Sequence, residues 1–179
     1  VMSAPAAISA TESARFLAQA SLSGTAQEIA DVQRLGYAGW LDAQMALARS
    51  STCVDWLRQQ GFDQPQYIFG QACADNMLWR KLLSSPDPLR QRITLALSEI
   101  LVVAVAGISK TPYRQFAAAA YWDILEAHAF GNYRSLLEQV STSAAMGAYL
   151  TYRGNRKANA TTGSLPDENY ARELMQLFT

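Results

Sequence analysis

Helix-start signals recur along this chain and constrain its fold more than any other feature. They are, in chain order, Ser9-x-x-Glu12, Thr25-x-x-Glu28, Asp87-Pro88 and Thr111-Pro112. The first two have the spacing of a capping box, and the last two place a capping side chain before a proline, which suits the first turn of a helix. No alternation of apolar and polar residues, the pattern typical of strands, continues beyond four residues. The sequence therefore predicts an all-α fold.

The same signals, together with glycine and proline breakers, divide residues 1–179 into about eight to nine helices of unequal length. The chain of 179 residues is 50% hydrophobic and 17% charged, which suffices for one buried core. We expect an irregular array of helices in a single domain. The predicted helices include one from Thr25 that stops near Gly36, one from Gln66 to Leu83, one from Thr111 to Ala129 and one that starts at Pro166.

The segment 87–105 predicts the central helix of the array. Asp87 can cap it, Pro88 occupies its first turn, and after Arg92 its residues are apolar nearly all round. Glu99 interrupts this apolar surface, and an unpaired buried charge costs several kcal/mol or becomes neutral. Glu99 is thus predicted either to pair with a distant arginine or to act as a proton donor or acceptor with a raised pKa.

The segment 164–179, SLPDENYARELMQLFT, carries more chemically capable side chains than any other. Asp167 and Glu168 fall at the positive end of the predicted helix, and Glu168 with Arg172, like Asn169 with Glu173, has the spacing of neighbours on one face. One interpretation is an amphipathic helix with a solvated charged face. The other is a catalytic or metal-binding role, with Glu168 and Glu173 as candidate catalytic groups and Asp167 and Glu168 as candidate ligands.

A long polar loop, residues 151–165, leads into this segment. Its basic side chains could fold back onto the acidic helix start, or they could form a mixed-charge site for a polar or anionic ligand. The candidate ligand-binding residues of such a site are Asn155, Arg156, Lys157, Asp167, Asn169 and Arg172.

His128 is the only histidine of the chain. It lies near the predicted C-terminus of a helix, where a histidine commonly complements the helix dipole, and an acid-base role is the alternative. Asp123 lies five residues before it, which places the two on different faces and argues against a local metal site. Neither of the glycine-rich phosphate-binding motifs, GxGxxG and GxxxxGK[ST], occurs.

The charge distribution bears on possible partners. Fifteen basic residues balance fifteen acidic ones, so we expect neither nucleic acid nor an anionic membrane surface as a partner. The longest apolar run, residues 100–108, is far shorter than the roughly 20 residues of a membrane span. It is expected to belong to the core.

Four ordered stretches of the chain resemble the bacterial domain-of-unknown-function family numbered 1800. They are ARFLAQASLSGTAQEIADVQRLGYAGWLDAQ, LRQRITLALSEILVV, AYWDILEAHAFGNYRSLLEQV followed by MGAYLTYRGNRKA, and the hallmark PDENYARELMQLFT. Together they cover most of the chain. The family name attaches no activity.

The resemblance implies several further properties. Members of this family are longer than this chain, so we expect residues 1–179 to be the N-terminal portion of a larger protein. Relatives have the character of exported proteins, which favours a periplasmic or secreted location, although residues 1–14 lack the pattern of a secretory signal. Outside the cytoplasm, a Cys53–Cys73 disulfide closing about 20 residues would stabilise the fold by roughly 3 kcal/mol.

Two functions are therefore expected for this chain. The favoured one is a binding or scaffold module, whose partner is the rest of its own longer chain or another protein. The alternative is a hydrolase-like enzyme that uses Glu168, Glu173 or Glu99 for acid-base work or for holding a divalent cation such as Mg²⁺ or Ca²⁺. No cofactor is otherwise predicted.

Overall fold

The computed structural model describes residues 7–22, 24–108 and 111–179, and these residues form helices without any strand. The all-α prediction is confirmed. Part of the stretch 1–14, in which no secretory signal was expected, lies outside the described residues. The helices are α1 Ala10–Ala20, α2 Ala26–Ala46, α3 Cys53–Gln59, α4 Ala74–Ser84, α5 Pro88–Ile100, α6 Arg114–Ala127, α7 Tyr133–Thr142, α8 Ala144–Tyr149 and α9 Asn169–Gln176.

Both capping boxes form as the sequence predicts. The Ser9 backbone N–H donates to Glu12 Oε2 at 2.9 Å, and the Glu12 N–H donates back to Ser9 Oγ at 3.2 Å. Thr25 and Glu28 make the same reciprocal pair at the start of α2. The helix that follows is interrupted at Gly36, as predicted: Gly36 has the non-helical angles φ 73° and ψ 168°, and α2 consists of two helical halves joined by a kink at this residue.

The predicted helix from Gln66 to Leu83 is wrong over its first half. Residues 65–67 form only a 3₁₀ turn, and α4 begins at Ala74, after Cys73 in a left-handed conformation. The carbonyl of Ile68 accepts a hydrogen bond from the distant Tyr113 N–H. This tertiary contact holds the chain in a turn where helix propensity alone favours another helical turn.

The predicted helix at 87–105 is present as α5, but it is shorter than predicted and it is not the central helix. Helix α5 ends at Ile100, and beyond it the Leu101 carbonyl accepts from the Tyr121 hydroxyl at 2.7 Å. The buried face of α5 is largely polar, whereas Ile100 near its end is half exposed. The central position belongs to α6, which packs against α3, α4, α5, α7 and α8. Glu99 is consequently exposed, so no buried partner is required.

The described residues form three apolar clusters, two of which include residues of α6. The first joins α6, α7 and α8 to the end of the chain, the second joins α3, α4 and α6, and the third joins α1, α2 and α5. Their most buried members are Leu125, Leu136, Val140 and Phe178 in the first, Cys53, Leu57, Met77 and Trp122 in the second, and Leu17, Val32, Trp40 and Leu89 in the third.

The Cys53–Cys73 disulfide is not formed. Both cysteines are free thiols that lie in the cluster of α3, α4 and α6. Cys53 begins α3, where its backbone N–H donates to Asp123 Oδ1 at 2.7 Å. Burial, followed by the nearby Asp123 carboxylate, raises the pKa of the Cys53 thiol. A cysteine held in this way behaves as a small apolar core residue.

No helix within the described ranges is both long and apolar enough to cross a membrane.

Candidate functional site

The hallmark segment is tied to the polar loop through Asn155 and Asp167. The Asn155 amide donates to the Asp167 carbonyl at 2.7 Å, and the Asp167 N–H donates to Asn155 Oδ1 at 2.8 Å. The Asp167 carboxylate accepts from the Thr151 hydroxyl at 2.6 Å and from the Asn169 N–H at 2.9 Å. These bonds, that of Thr151 first, lower the pKa of Asp167. Because the Asp167 carboxylate closes a turn onto the Asn169 N–H, α9 begins at Asn169 and not at Pro166.

The predicted pair of Glu168 and Arg172 is present. The two side chains form an ion pair one turn apart, and both are largely exposed. Glu173 lies apart from this pair, half-buried in a cavity of about 220 Å³ that Ile100 and Val102 also line. The three acidic side chains of the hallmark segment therefore do not converge on one point.

The basic side chains of the loop stay in solvent. Arg156 and Lys157 are exposed, and neither forms an ion pair with a carboxylate of the described residues, so the expected neutralisation by the loop is wrong. Arg153 donates to the Thr111 hydroxyl at 2.7 Å instead. Arg153, Arg156 and Asp167 line an open cavity of about 300 Å³. The ligand-binding role predicted for this loop stays a prediction.

His128 and Glu99 do not join the hallmark segment. His128 follows the last residue of α6, and its backbone N–H donates to the Ile124 carbonyl at 3.2 Å, as expected of a residue at a helix C-terminus. Glu99 lines a cleft on another face. Among the described residues, no three or more histidine, cysteine, aspartate or glutamate side chains are grouped to hold a metal ion. The carboxylate-based enzyme and its divalent cation remain predictions.

A buried network of charged side chains was not predicted from the sequence. The Lys81 ammonium donates to both carboxylate oxygens of Glu126 at 2.9 Å and to the Ser50 hydroxyl at 2.8 Å. The Gln91 amide donates to Glu126 and to Asp87, each at 3.2 Å. Neither Lys81 nor Glu126 has any exposed side-chain surface. The network joins α4, α5, α6 and the chain before α3 at one point.

Arg90 completes the network and balances its charge. Its guanidinium lies 3.4 Å from Asp87, stacks 4.4 Å above the Phe130 ring, and donates to the Leu47 carbonyl. With two cationic and two anionic side chains, the network is neutral as a whole. Its complete enclosure indicates a structural role. A sequence signal for it exists, since Lys81 follows Met77 by one helical turn and therefore falls on the buried face of α4.

An apolar cleft of about 650 Å³ lies beside α4 and α5. Trp79 and Leu83, one helical turn apart at this cleft, have 61% and 63% of their surface exposed and together form an apolar patch. The cleft is lined by Leu22, Asp75, Met77, Leu78, Trp79, Leu82, Leu83, Leu95, Ser98, Glu99, Val102, Val103, Ala104, Val105, Ala118, Tyr121 and Trp122.

A few polar groups of this cleft lack partners. The buried indole N–H of Trp122 has no hydrogen-bond acceptor among the described residues. Val102 and Val103 follow α5 in a non-helical stretch, and their backbone groups make no hydrogen bond within the described part of the chain. The cleft thus combines a wide apolar surface with a small number of unpaired donors and acceptors, the composition typical of binding sites.

Comparison with known proteins gives one match. The profile of a family described as protein of unknown function, DUF1800, matches residues 15–179. Neither the curated proteins nor the solved structures contain a match to the chain.

Proposed function

The chain belongs to the DUF1800 family of proteins of unknown function, and on that premise we propose that it is a binding module. Its site is the apolar cleft beside α4 and α5, and its occupant is an apolar segment of a protein. The observation that carries this proposal is the exposure of Trp79 and Leu83 at the cleft. Apolar patches of this kind on a folded chain mark interaction surfaces.

The apolar surface supplies the driving force for binding. Burying about 100 Å² of the Trp79 ring at about 25 cal/mol per Å² contributes about 2.5 kcal/mol, or roughly 70-fold in Kd. Tryptophan is also the residue most enriched among the energetically dominant positions of protein interfaces. Trp79 is therefore expected to dominate the affinity.

The unpaired polar groups favour a protein segment over a hydrocarbon ligand. The Trp122 N–H needs an acceptor, and the peptide groups of Val102 and Val103 offer both a donor and an acceptor. A bound polypeptide carries the complementary groups, whereas a hydrocarbon chain would leave the buried indole N–H unpaired at a cost of about 1–3 kcal/mol. The set of unpaired polar groups at the cleft therefore matches a polypeptide occupant.

The proposal is tested with a defined probe, a fluorescein-labelled amphipathic helical peptide of leucine, alanine and glutamine. Fluorescence anisotropy should show saturable binding to the unsubstituted chain and a roughly 70-fold weaker Kd for Trp79→Ser. Met175→Ser is the matched control, since Met175 is 72% exposed on α9 and does not line the cleft. It should leave the Kd unchanged.

Two results would contradict the proposal. One is the absence of saturable binding to the unsubstituted chain. The other is an equal loss of affinity in Trp79→Ser and Met175→Ser, because nonspecific adhesion to exposed apolar side chains would then account for the signal. Circular dichroism of both variants establishes that they are folded before the titrations are compared.

We also propose that the protein works in the periplasm or outside the cell, as the family resemblance implies. The test is fractionation of cells that express the full-length natural gene, with immunodetection of the protein in each compartment. Recovery outside the cytoplasm supports the proposal, and recovery in the cytoplasm with unprocessed protein refutes it.

A further inference from the structure

The charged groups of the apolar cleft all have the same sign. Asp75 and Glu99 are the only charged side chains among the described residues that line it. Both are exposed, and neither forms an ion pair with another described residue. Over the chain as a whole, by contrast, basic and acidic residues are equal in number. The cleft is therefore locally anionic on a neutral protein.

The two carboxylates also lie at the same end of the site. Asp75 is in the first turn of α4 and Glu99 in the last turn of α5, and the two helices are joined by the short turn 85–87. Both residues consequently stand at the end of the helix pair that is remote from this turn. They lie at the end of the cleft where Val102 and Val103 follow α5.

The position of Glu99 at the end of α5 favours a cation nearby. A carboxylate in the last turn of a helix lies against the negative end of the helix dipole, which is unfavourable unless a positive charge is nearby. Asp75 is placed favourably for its own helix, but it too forms no ion pair with another described residue. A positive group beside Glu99 would interact both with its carboxylate and with the C-terminal end of α5.

We propose that the segment taken by the cleft is cationic, with lysine or arginine at one end of its apolar residues, where they pair with Asp75 and Glu99. This inference rests on the proposed function and specifies its partner. Apolar contacts with Trp79 and its neighbours supply affinity, while the two carboxylates fix the direction of the segment and select against acidic partners.

The test uses three peptides with an identical apolar core that carries two lysines, two glutamines or two glutamates at one end. At about 25 mM salt, the lysine peptide should bind about tenfold tighter than the glutamine peptide, since each exposed ion pair contributes a factor of about three. The glutamate peptide should bind weakest. At about 500 mM salt the difference should nearly vanish, because the charges are then screened.

Variants assign the effect to the named carboxylates. The double substitution Asp75→Asn with Glu99→Gln should abolish the preference for lysine, so that the lysine and glutamine peptides bind this variant with equal Kd. Asp42→Asn is the control, since Asp42 is an exposed carboxylate of α2 that does not line the cleft, and it should preserve the preference.

The possible failures are distinguishable. Equal binding of the lysine and glutamine peptides, or a preference that survives in the double variant, would overturn this inference and leave the proposed function standing. Absence of binding by all three peptides would overturn both.

Discussion

The buried pair of Lys81 and Glu126 gives the most quantitative prediction. Replacing Lys81 with methionine leaves the enclosed Glu126 carboxylate with only the Gln91 amide, 3.2 Å away, as a side-chain donor. Replacing Glu126 with glutamine instead leaves the Lys81 ammonium without its counter-charge. Removal of one partner from a buried ion pair costs about 3–5 kcal/mol, a large part of the roughly 5–15 kcal/mol that stabilises a typical domain.

The double substitution should behave differently from either single one. Lys81→Met with Glu126→Gln removes both charges, so the network is neutral again and no uncompensated charge is buried. We expect the double variant to lose less than about half of the summed losses, which is a coupling free energy above about 2 kcal/mol.

Urea unfolding followed by circular dichroism measures the free energy of unfolding of each variant. Arg34→Met and Asp31→Asn form the matched control cycle, because this pair is 2.9 Å apart but solvent-exposed, and its coupling should stay below about 1 kcal/mol. Additive losses at Lys81 and Glu126, or single losses below about 1 kcal/mol, would refute the assignment of this pair as an enclosed structural contact.

Further predictions concern the hallmark loop and the kink of α2. Because the folded-state pKa of Asp167 is lowered, its hydrogen bonds contribute stability above the unfolded pKa of about 4, and this contribution is lost as the pH falls through the folded-state value. Hydrogen exchange at the Asn169 amide should therefore accelerate in acid, and Asp167→Asn should weaken that pH dependence. Asn155→Ala should raise exchange at the Asp167 amide without a large change in global stability, since the contact is exposed. Gly36→Ala should cost about 1 kcal/mol in urea unfolding because of the positive φ.

Local signals in the sequence predicted much of the fold. The capping boxes at Ser9 and Thr25 depend on residues three positions apart, so the sequence alone indicates them. The pair of Glu168 and Arg172 is recognisable for the same reason.

Features that depend on distant contacts were not predictable in this way. The start of α4 depends on the bond between Ile68 and Tyr113, and the end of α5 depends on the bond between Leu101 and Tyr121. The prediction that the helix at 87–105 is central was based on its apolar composition. In the structure, however, the buried part of α5 is the part with the fewest apolar residues.

The candidate site likewise combines features that the sequence indicated with features that depend on distant contacts. The sequence singled out the hallmark segment by its density of charged groups, yet Asp167 and Glu168 are engaged by neighbours within the loop and helix. The apolar cleft is assembled from residues 22 to 122, and no local pattern indicates that Trp79 is exposed rather than buried. The exposure of Trp79 follows only from the way in which α4 packs against α5 and α6.

The measurement that tests the binding role most directly is nuclear magnetic resonance of the indole N–H groups. The chain has four tryptophans, so a sample labelled with ¹⁵N-tryptophan gives four indole signals that single substitutions assign. On titration with the apolar peptide, the signals of Trp79 and Trp122 should move, with Trp122 shifting downfield as its N–H gains an acceptor. Trp40, buried in the cluster of α1, α2 and α5, should not move. Unchanged signals of Trp79 and Trp122, or equal shifts of all four, would contradict the account.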